Sequence, residues 1–158
     1  KAWLETKLPI QILRLPGIYG PKRSAFESLL NGTAKMIDKP GQIFSRIHVD
    51  DIAGAVLFLI NLYALGKNPS VVNVADDLPT NNLEVIDYAA KLAKKSLPQT
   101  VPFQIAKETM SPMALSFWQE NRKVDNNLLC KKLGYSLIYP DFKSGLKNCY
   151  SKLKLNYL

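Results

Sequence analysis

Apolar residues dominate the run Ile10-Gln-Ile-Leu-Arg-Leu15, a pattern that suits a strand buried on both faces of a parallel sheet. Pro16-Gly-Ile-Tyr-Gly-Pro21 is dense in breakers and reads as a loop. Ser24, with Glu27 three positions on, forms a capping box for a short helix that Gly32 ends. Pro40-Gly41 marks a turn between two short extended pieces. From Ile43 to Val49 the chain alternates, with Ile43, Ser45, Ile47 and Val49 facing one way and Phe44, Arg46 and His48 the other. Asp50 or Asp51 then caps a helix whose apolar run, Ile52 to Leu65, predicts burial in the core.

Val71–Ala75 reads as a second buried strand, and Thr80-Asn-Asn82 opens an amphipathic helix with Leu83, Ile86, Ala90, Leu92 and Ala93 among its apolar positions. Pro98 to Pro102 is a break, followed by a weakly patterned stretch holding Met110, Met113, Phe117 and Trp118. Two basic helices are expected over Asn126–Leu133, stopped by Gly134, and over Phe142–Leu153. Lys1–Thr6 has helical character that ends at Pro9. Strands and helices in this alternation make the fold class α/β.

Composition places the chain among ordinary globular domains. It has 158 residues, 47% hydrophobic and 22% charged, which excludes a disordered tail or a disulfide-stapled mini-protein. Cys130 and Cys149 are isolated, and one His excludes a His-rich metal site, so no metal site and a reduced cytoplasmic setting are expected. The longest apolar run is shorter than the roughly 20 residues a membrane span needs, so no membrane partner is expected. The net charge of +8 is uneven: residues 122–158 carry eight Lys and Arg against two Asp and Glu. Lys131, Lys132, Lys143, Lys147, Lys152 and Lys154 read as solvated helix faces. With 17 Lys to 4 Arg and no recognition motif, no nucleic-acid partner is expected; a nucleic-acid binder using this basic tail, which would lose affinity steeply with salt, is a third reading.

No G-x-G-x-x-G or P-loop spacing occurs, so the sequence holds no pyrophosphate-cradling turn, and no nucleophile elbow accompanies His48. Tyr63…Lys67 and Tyr150…Lys154 have the Tyr-x-x-x-Lys spacing in which Lys lowers the pKa of a catalytic Tyr. Seven Tyr and 17 Lys make about one such pair expected by chance, so both are read as coincidence and no catalytic residue is assigned. Two segments carry more information. Arg14-Leu-Pro-Gly-Ile-Tyr-Gly-Pro21 puts exposed backbone at the carboxyl end of a parallel strand, where open α/β sheets bind ligands, with Lys22 and Arg23 ready for an anion. Phe44-Ser-Arg-Ile-His-Val-Asp-Asp51 puts Arg46 and His48 on one strand face. His48 with Asp50 or Asp51 reads first as a buried hydrogen-bonded corner, whereas Arg46 is balanced between structure and ligand.

These segments, with Asn73-Val-Ala-Asp-Asp77, Ser111-Pro-Met-Ala-Leu-Ser-Phe117, Asn121-Arg-Lys-Val124 and Leu133-Gly134 through Gly145-Leu146, resemble an extended short-chain dehydrogenase/reductase. The likeness is to the NAD-dependent epimerase/dehydratase family and its sugar-nucleotide epimerase-like oxidoreductase subgroup. It implies the C-terminal portion of a Rossmann-type doubly wound fold with its small substrate-binding lobe, spanning residues 1–158 as one unit. The first residue is Lys, and a buried strand begins within ten residues of it, so a piece of something longer is expected. The glycine-rich loop and the catalytic Tyr–Lys pair would lie upstream of Lys1, leaving this chain inactive alone. The resemblance implies NAD or NADP as cofactor, approached by backbone at Pro16, Gly17 and Ile18. It nominates Tyr19, Arg23 and Arg46 for a small polar or anionic substrate, and family members often form homodimers. Nucleotide-sugar epimerases commonly read Arg-x-x-Ile-His-Val; here Phe44 holds that Arg position, which argues against a nucleotide-diphosphate sugar but not against an anion. The alternative is a non-catalytic binding module for an anionic ligand.

Overall fold

The structure is a computed structural model that describes residue 5 and residues 8–155. The helical character read for Lys1–Thr6 lies outside the described residues, Glu5 apart. Among the described residues six short strands form three parallel pairs. β1 (Ile12–Arg14) pairs with β5 (Val71–Asn73), β2 (Gly17–Tyr19) with β4 (Arg46–His48), and β3 (Met36–Asp38) with β6 (Thr100–Pro102). The chain after β5 stitches the first two pairs together: Val74 N–H donates to the Arg14 carbonyl at 3.0 Å and Asp76 N–H to the Arg46 carbonyl at 2.8 Å.

Helices follow most strands, as parallel pairing requires. α1 (Ala25–Leu30) starts at the expected capping box, where Glu27 accepts from Ser24 N–H at 2.6 Å, and the chain leaves it through Gly32 at φ +72°. α2 (Val49–Ala64), α3 (Asn82–Ala93), α4 (Phe103–Ala106), α5 (Pro112–Gln119) and α6 (Phe142–Leu155) complete the order, with one π turn at Leu128–Lys132. Two cores result. Ile47, Leu59, Val72, Val74 and Leu129 fill the space between α2, the strands and the π turn. Tyr19, Phe26, Val85, Phe142 and Leu146 join α1, α3 and α6. Among the described residues no helix is long and apolar enough to cross a membrane.

Five expectations need correction. Gly17–Tyr19, read as loop, is strand β2, because Arg46–His48 supplies the pairing that its flanking breakers conceal. Thr100–Pro102, read as a break, is β6 for the same reason. The cap of α2 is neither aspartate: the His48 side chain accepts from Asp50 N–H, and Val49 is already helical. α2 itself is buried on one side only, with Val56, Leu57, Ile60 and Tyr63 exposed on the other. The basic helix expected over Asn126–Leu133 is a single π turn, led in by Asp125, which accepts from Asn127 N–H at 2.8 Å. The basic side chains of this turn and of α6 face solvent as expected, and Lys154 Nζ lies 4.7 Å from the Tyr150 ring centroid.

The approach of α2 to the C-terminal segment depends on one missing side chain. A Cβ at Gly54 would collide with the Tyr135 hydroxyl and come within 3.3 Å of its Cζ. Gly54→Ala will therefore cost about 1–3 kcal/mol. In a Tyr135→Phe background the collision is gone and alanine's helix propensity, worth about 1 kcal/mol over glycine, offsets the residual crowding. Urea denaturation of the four-member cycle checks this: an equal cost of Gly54→Ala in both backgrounds would refute the contact.

Candidate functional site

β2 and β4 run side by side, and the chain leaves β2 through a tight turn in which Gly20 and Arg23 exchange backbone hydrogen bonds at 3.0 Å. The turn forces Lys22 to φ +68°, a left-handed conformation that a side chain disfavours by roughly 1–2 kcal/mol. It also aims Lys22 and Arg23 at a cavity of about 560 Å³. That volume lies within the usual range for a small-molecule site. Arg46 enters from β4 and Lys35 from the segment before β3, giving four cations around one space.

One carboxylate, Glu27, lines the cavity, and it is occupied in the α1 capping box, accepting from Ser24 N–H and from Ser24 Oγ at 2.7 Å. Among the described residues none of the four cations has a carboxylate partner within ion-pair distance. Arg46 Nη1 donates to the Phe44 and Thr80 carbonyls at 3.1 and 2.9 Å, which fixes its stem. Ile18, Val85, Ile86, Phe142 and Leu146 make the apolar floor. The arrangement suits an anion carried on a small body with some apolar surface.

The nominated residues Ile18, Tyr19, Arg23 and Arg46 thus meet at one cavity, whereas Pro16 and Gly17 lie outside its lining. Tyr19 is 8% exposed, and its hydroxyl turns into the fold, 3.5 Å from the Asp141 carbonyl and against Gly145. Burial raises its pKa further above the ordinary phenol value, with nearby carboxylates adding to the effect. It therefore lines the cavity without presenting its hydroxyl as an ionisable group there. Gly17 is exposed at the junction of β1 and β2. A Cβ there would meet the Ser45 carbonyl at 3.4 Å and Arg46 Cγ at 3.7 Å, ordinary contacts, so the fold itself does not demand glycine. The bare backbone fits the approach of a flat cofactor ring, while nothing in the sequence provides a glycine-rich turn for its pyrophosphate.

His48 belongs to structure, in the buried corner expected of it with Asp50. It is fully buried, and burial pulls its pKa below the ordinary value against Asp50 and Asp51. Nδ1 accepts from Asp50 N–H at 3.2 Å, which assigns the proton to Nε2, 3.8 Å from Cys149 Sγ. Asp51, also fully buried, accepts from Ile138 N–H at 2.7 Å and Tyr139 N–H at 2.9 Å. Tyr139 in turn packs beside His48, ring centroids 4.2 Å apart and ring planes tilted by 52°.

Two polar residues escaped the sequence reading. Lys35 precedes the apolar Met36-Ile37 with nothing local to mark it as a cavity residue. Asp76 had a signal, a carboxylate directly after a buried strand. It is 1% exposed, neither oxygen has a hydrogen-bond partner, and burial pushes its carboxyl up to about 7 against the pull of the Arg46 guanidinium. Among the described residues, no cluster of His, Cys, Asp and Glu could hold a metal ion.

No protein-family model and no curated protein matches the chain. Solved structures do. A functionally unknown conserved protein from Silicibacter pomeroyi DSS is 40% identical with a TM-score of 0.83, over 96% of this chain and 52% of that one. A protein from Methylobacillus flagellatus, classed as an NAD-dependent epimerase/dehydratase, is 25% identical with a TM-score of 0.66, over 91% and 47%. A human epimerase family protein, solved with NADPH, is 20% identical with a TM-score of 0.70, over 88% and 47%. The chain spans about half the length of the solved proteins it matches. Its fold is therefore the Rossmann-like α/β arrangement of the NAD-dependent epimerase and dehydratase structures, matched over about half of each.

Proposed function

We propose that this chain is the substrate-binding, C-terminal part of an NAD(P)-dependent oxidoreductase or epimerase, and that its substrate is a small polar, anionic molecule. The cationic cavity carries the reading: Lys22, Arg23, Lys35 and Arg46 converge on it, and its only carboxylate is engaged elsewhere. Backbone at Pro16, Gly17 and Ile18 would meet the cofactor, whose nicotinamide supplies hydride exchange when bound. Arg46, anchored by two carbonyls, orients the anionic group, while Lys22 and Arg23 draw it in from the rim. The apolar floor under Ile18 and Phe142 excludes water from the substrate body. The general acid and the pyrophosphate turn come from outside these 158 residues, so the chain by itself does not turn over. Soluble cytoplasmic placement and homodimer formation belong to the same reading.

Lys22 allows a test that separates binding from folding. Lys22→Gly relieves the left-handed backbone and removes one cation, so the melting temperature rises while affinity falls. Calorimetric titration of glucose 6-phosphate into the protein should show binding weakened about five-fold or more by Lys22→Gly, and again by Arg23→Ala. Unchanged affinity in both variants would overturn the anion site. Stoichiometric micromolar binding of NADH by the 158-residue chain would overturn the claim that the cofactor turn lies elsewhere.

A further inference from the structure

A second cavity of about 550 Å³ lies in the small lobe between β3, β6, α4 and α5. Its walls are Ile37, Val101, Ile105, Met110, Ala114 and Trp118, and its only charged lining residue is Lys35. Lys35 and its neighbour Ala34 also line the cationic cavity, so the two spaces adjoin along this one segment. Trp118 is held as a fixed wall. Phe44 meets it edge-on at 5.4 Å, Phe103 stacks on it at 5.8 Å, and Lys39 Nζ donates to its carbonyl.

We infer that the ligand of the cationic cavity is an amphiphile: its anionic head lies among Lys22, Arg23, Lys35 and Arg46, and an apolar arm runs past Ala34 into the Trp118 cavity. This deepens the anionic-substrate reading and rests on it. The reasoning is charge and continuity. One space holds four cations without a carboxylate partner within ion-pair distance among the described residues, the other is lined by a single cation, and that junction residue belongs to both. A lysine at the mouth of an apolar space positions a head group there while its own stem covers apolar surface. A plain sugar phosphate would leave the Trp118 cavity wet and its aliphatic walls without contacts. An alkyl or aryl arm fills it.

The test uses the 158-residue chain with Trp3→Phe, which leaves Trp118 as its sole tryptophan, and a series of inorganic, butyl, hexyl and octyl phosphate. Affinity should rise about four-fold for each added methylene from butyl to octyl phosphate, as burial of CH₂ groups requires. Trp118 emission should shift to the blue along the series. Ile105→Glu places a charge at an exposed wall position, so it should spare folding and flatten the series to the affinity of inorganic phosphate. If all four phosphates bind equally and Trp118 does not respond, the amphiphile inference fails while the anion site stands. If octanol binds as well as octyl phosphate, and Lys22→Gly with Arg23→Ala changes nothing, the lobe is a non-specific apolar surface and the inference fails. If no phosphate binds at millimolar concentration, the anionic-substrate reading fails with it.

Discussion

Asp51→Ala will lower the unfolding free energy by about 3–5 kcal/mol. The carboxylate is fully buried, and its two oxygens accept from the Ile138 and Tyr139 backbone N–H groups, with the Tyr135 hydroxyl at 3.4 Å from Oδ1. Alanine leaves two N–H donors without partners, each worth roughly 1–3 kcal/mol when buried. The loss spreads because Tyr139 is the ring beside His48, and His48 caps α2. Asp51→Asn, which keeps one acceptor oxygen, should cost about half as much and serves if the alanine variant does not fold. Urea denaturation with an unchanged m-value reads both. A loss below 1 kcal/mol for alanine would show that the 135–139 segment is held by something else.

The opposite sign is expected at Asp76. Its carboxyl titrates near 7 in the folded chain against an ordinary 3.8, because burial penalises the charged form. The folded state thus holds its proton more tightly than the unfolded state. That contribution is complete below about pH 4 and is lost as pH rises through 7, for a total of roughly 4 kcal/mol. Asp76→Asn removes the charge and with it this slope. Near pH 4 the variant should match the wild type within about 1 kcal/mol; at pH 8 it should be more stable by about 2–4 kcal/mol, a clear rise in melting temperature. Melting curves at pH 4, 6 and 8 decide the matter, and parallel profiles for the two proteins would refute it.

These two aspartates also mark where sequence reading ends. Local chemistry was legible: the Ser24–Glu27 box and the opening of α3 within Thr80-Asn81-Asn82 are settled within a few residues, and they stand where the sequence puts them. Arg23 was singled out by its position after a parallel strand, and Ile18 and Arg46 by the family resemblance; all three line one cavity. Asp51 was legible as part of a buried corner but not by its partners, which lie beyond Leu137 in sequence where no local pattern announces them. β2 and β6 were hidden for a related reason. Three residues between breakers carry no periodicity, and only a remote partner makes them strands. Lys35 and the Trp118 cavity likewise arise from the packing of β3, β6 and α5, which no single segment encodes.

The three strand pairs have a further meaning for time rather than energy. Gly17 meets Arg46, Ile12 meets Val71, and Met36 meets Thr100, so no pair can be nucleated by a hairpin. Each closure orders a long loop before it gains a contact, which makes folding slow and all-or-none. The cationic cavity draws its lining from Ile18 to Leu146, and it exists only in chains that have closed across this whole span. Any ligand held in that cavity would select completely folded molecules and draw the remaining population toward them by mass action.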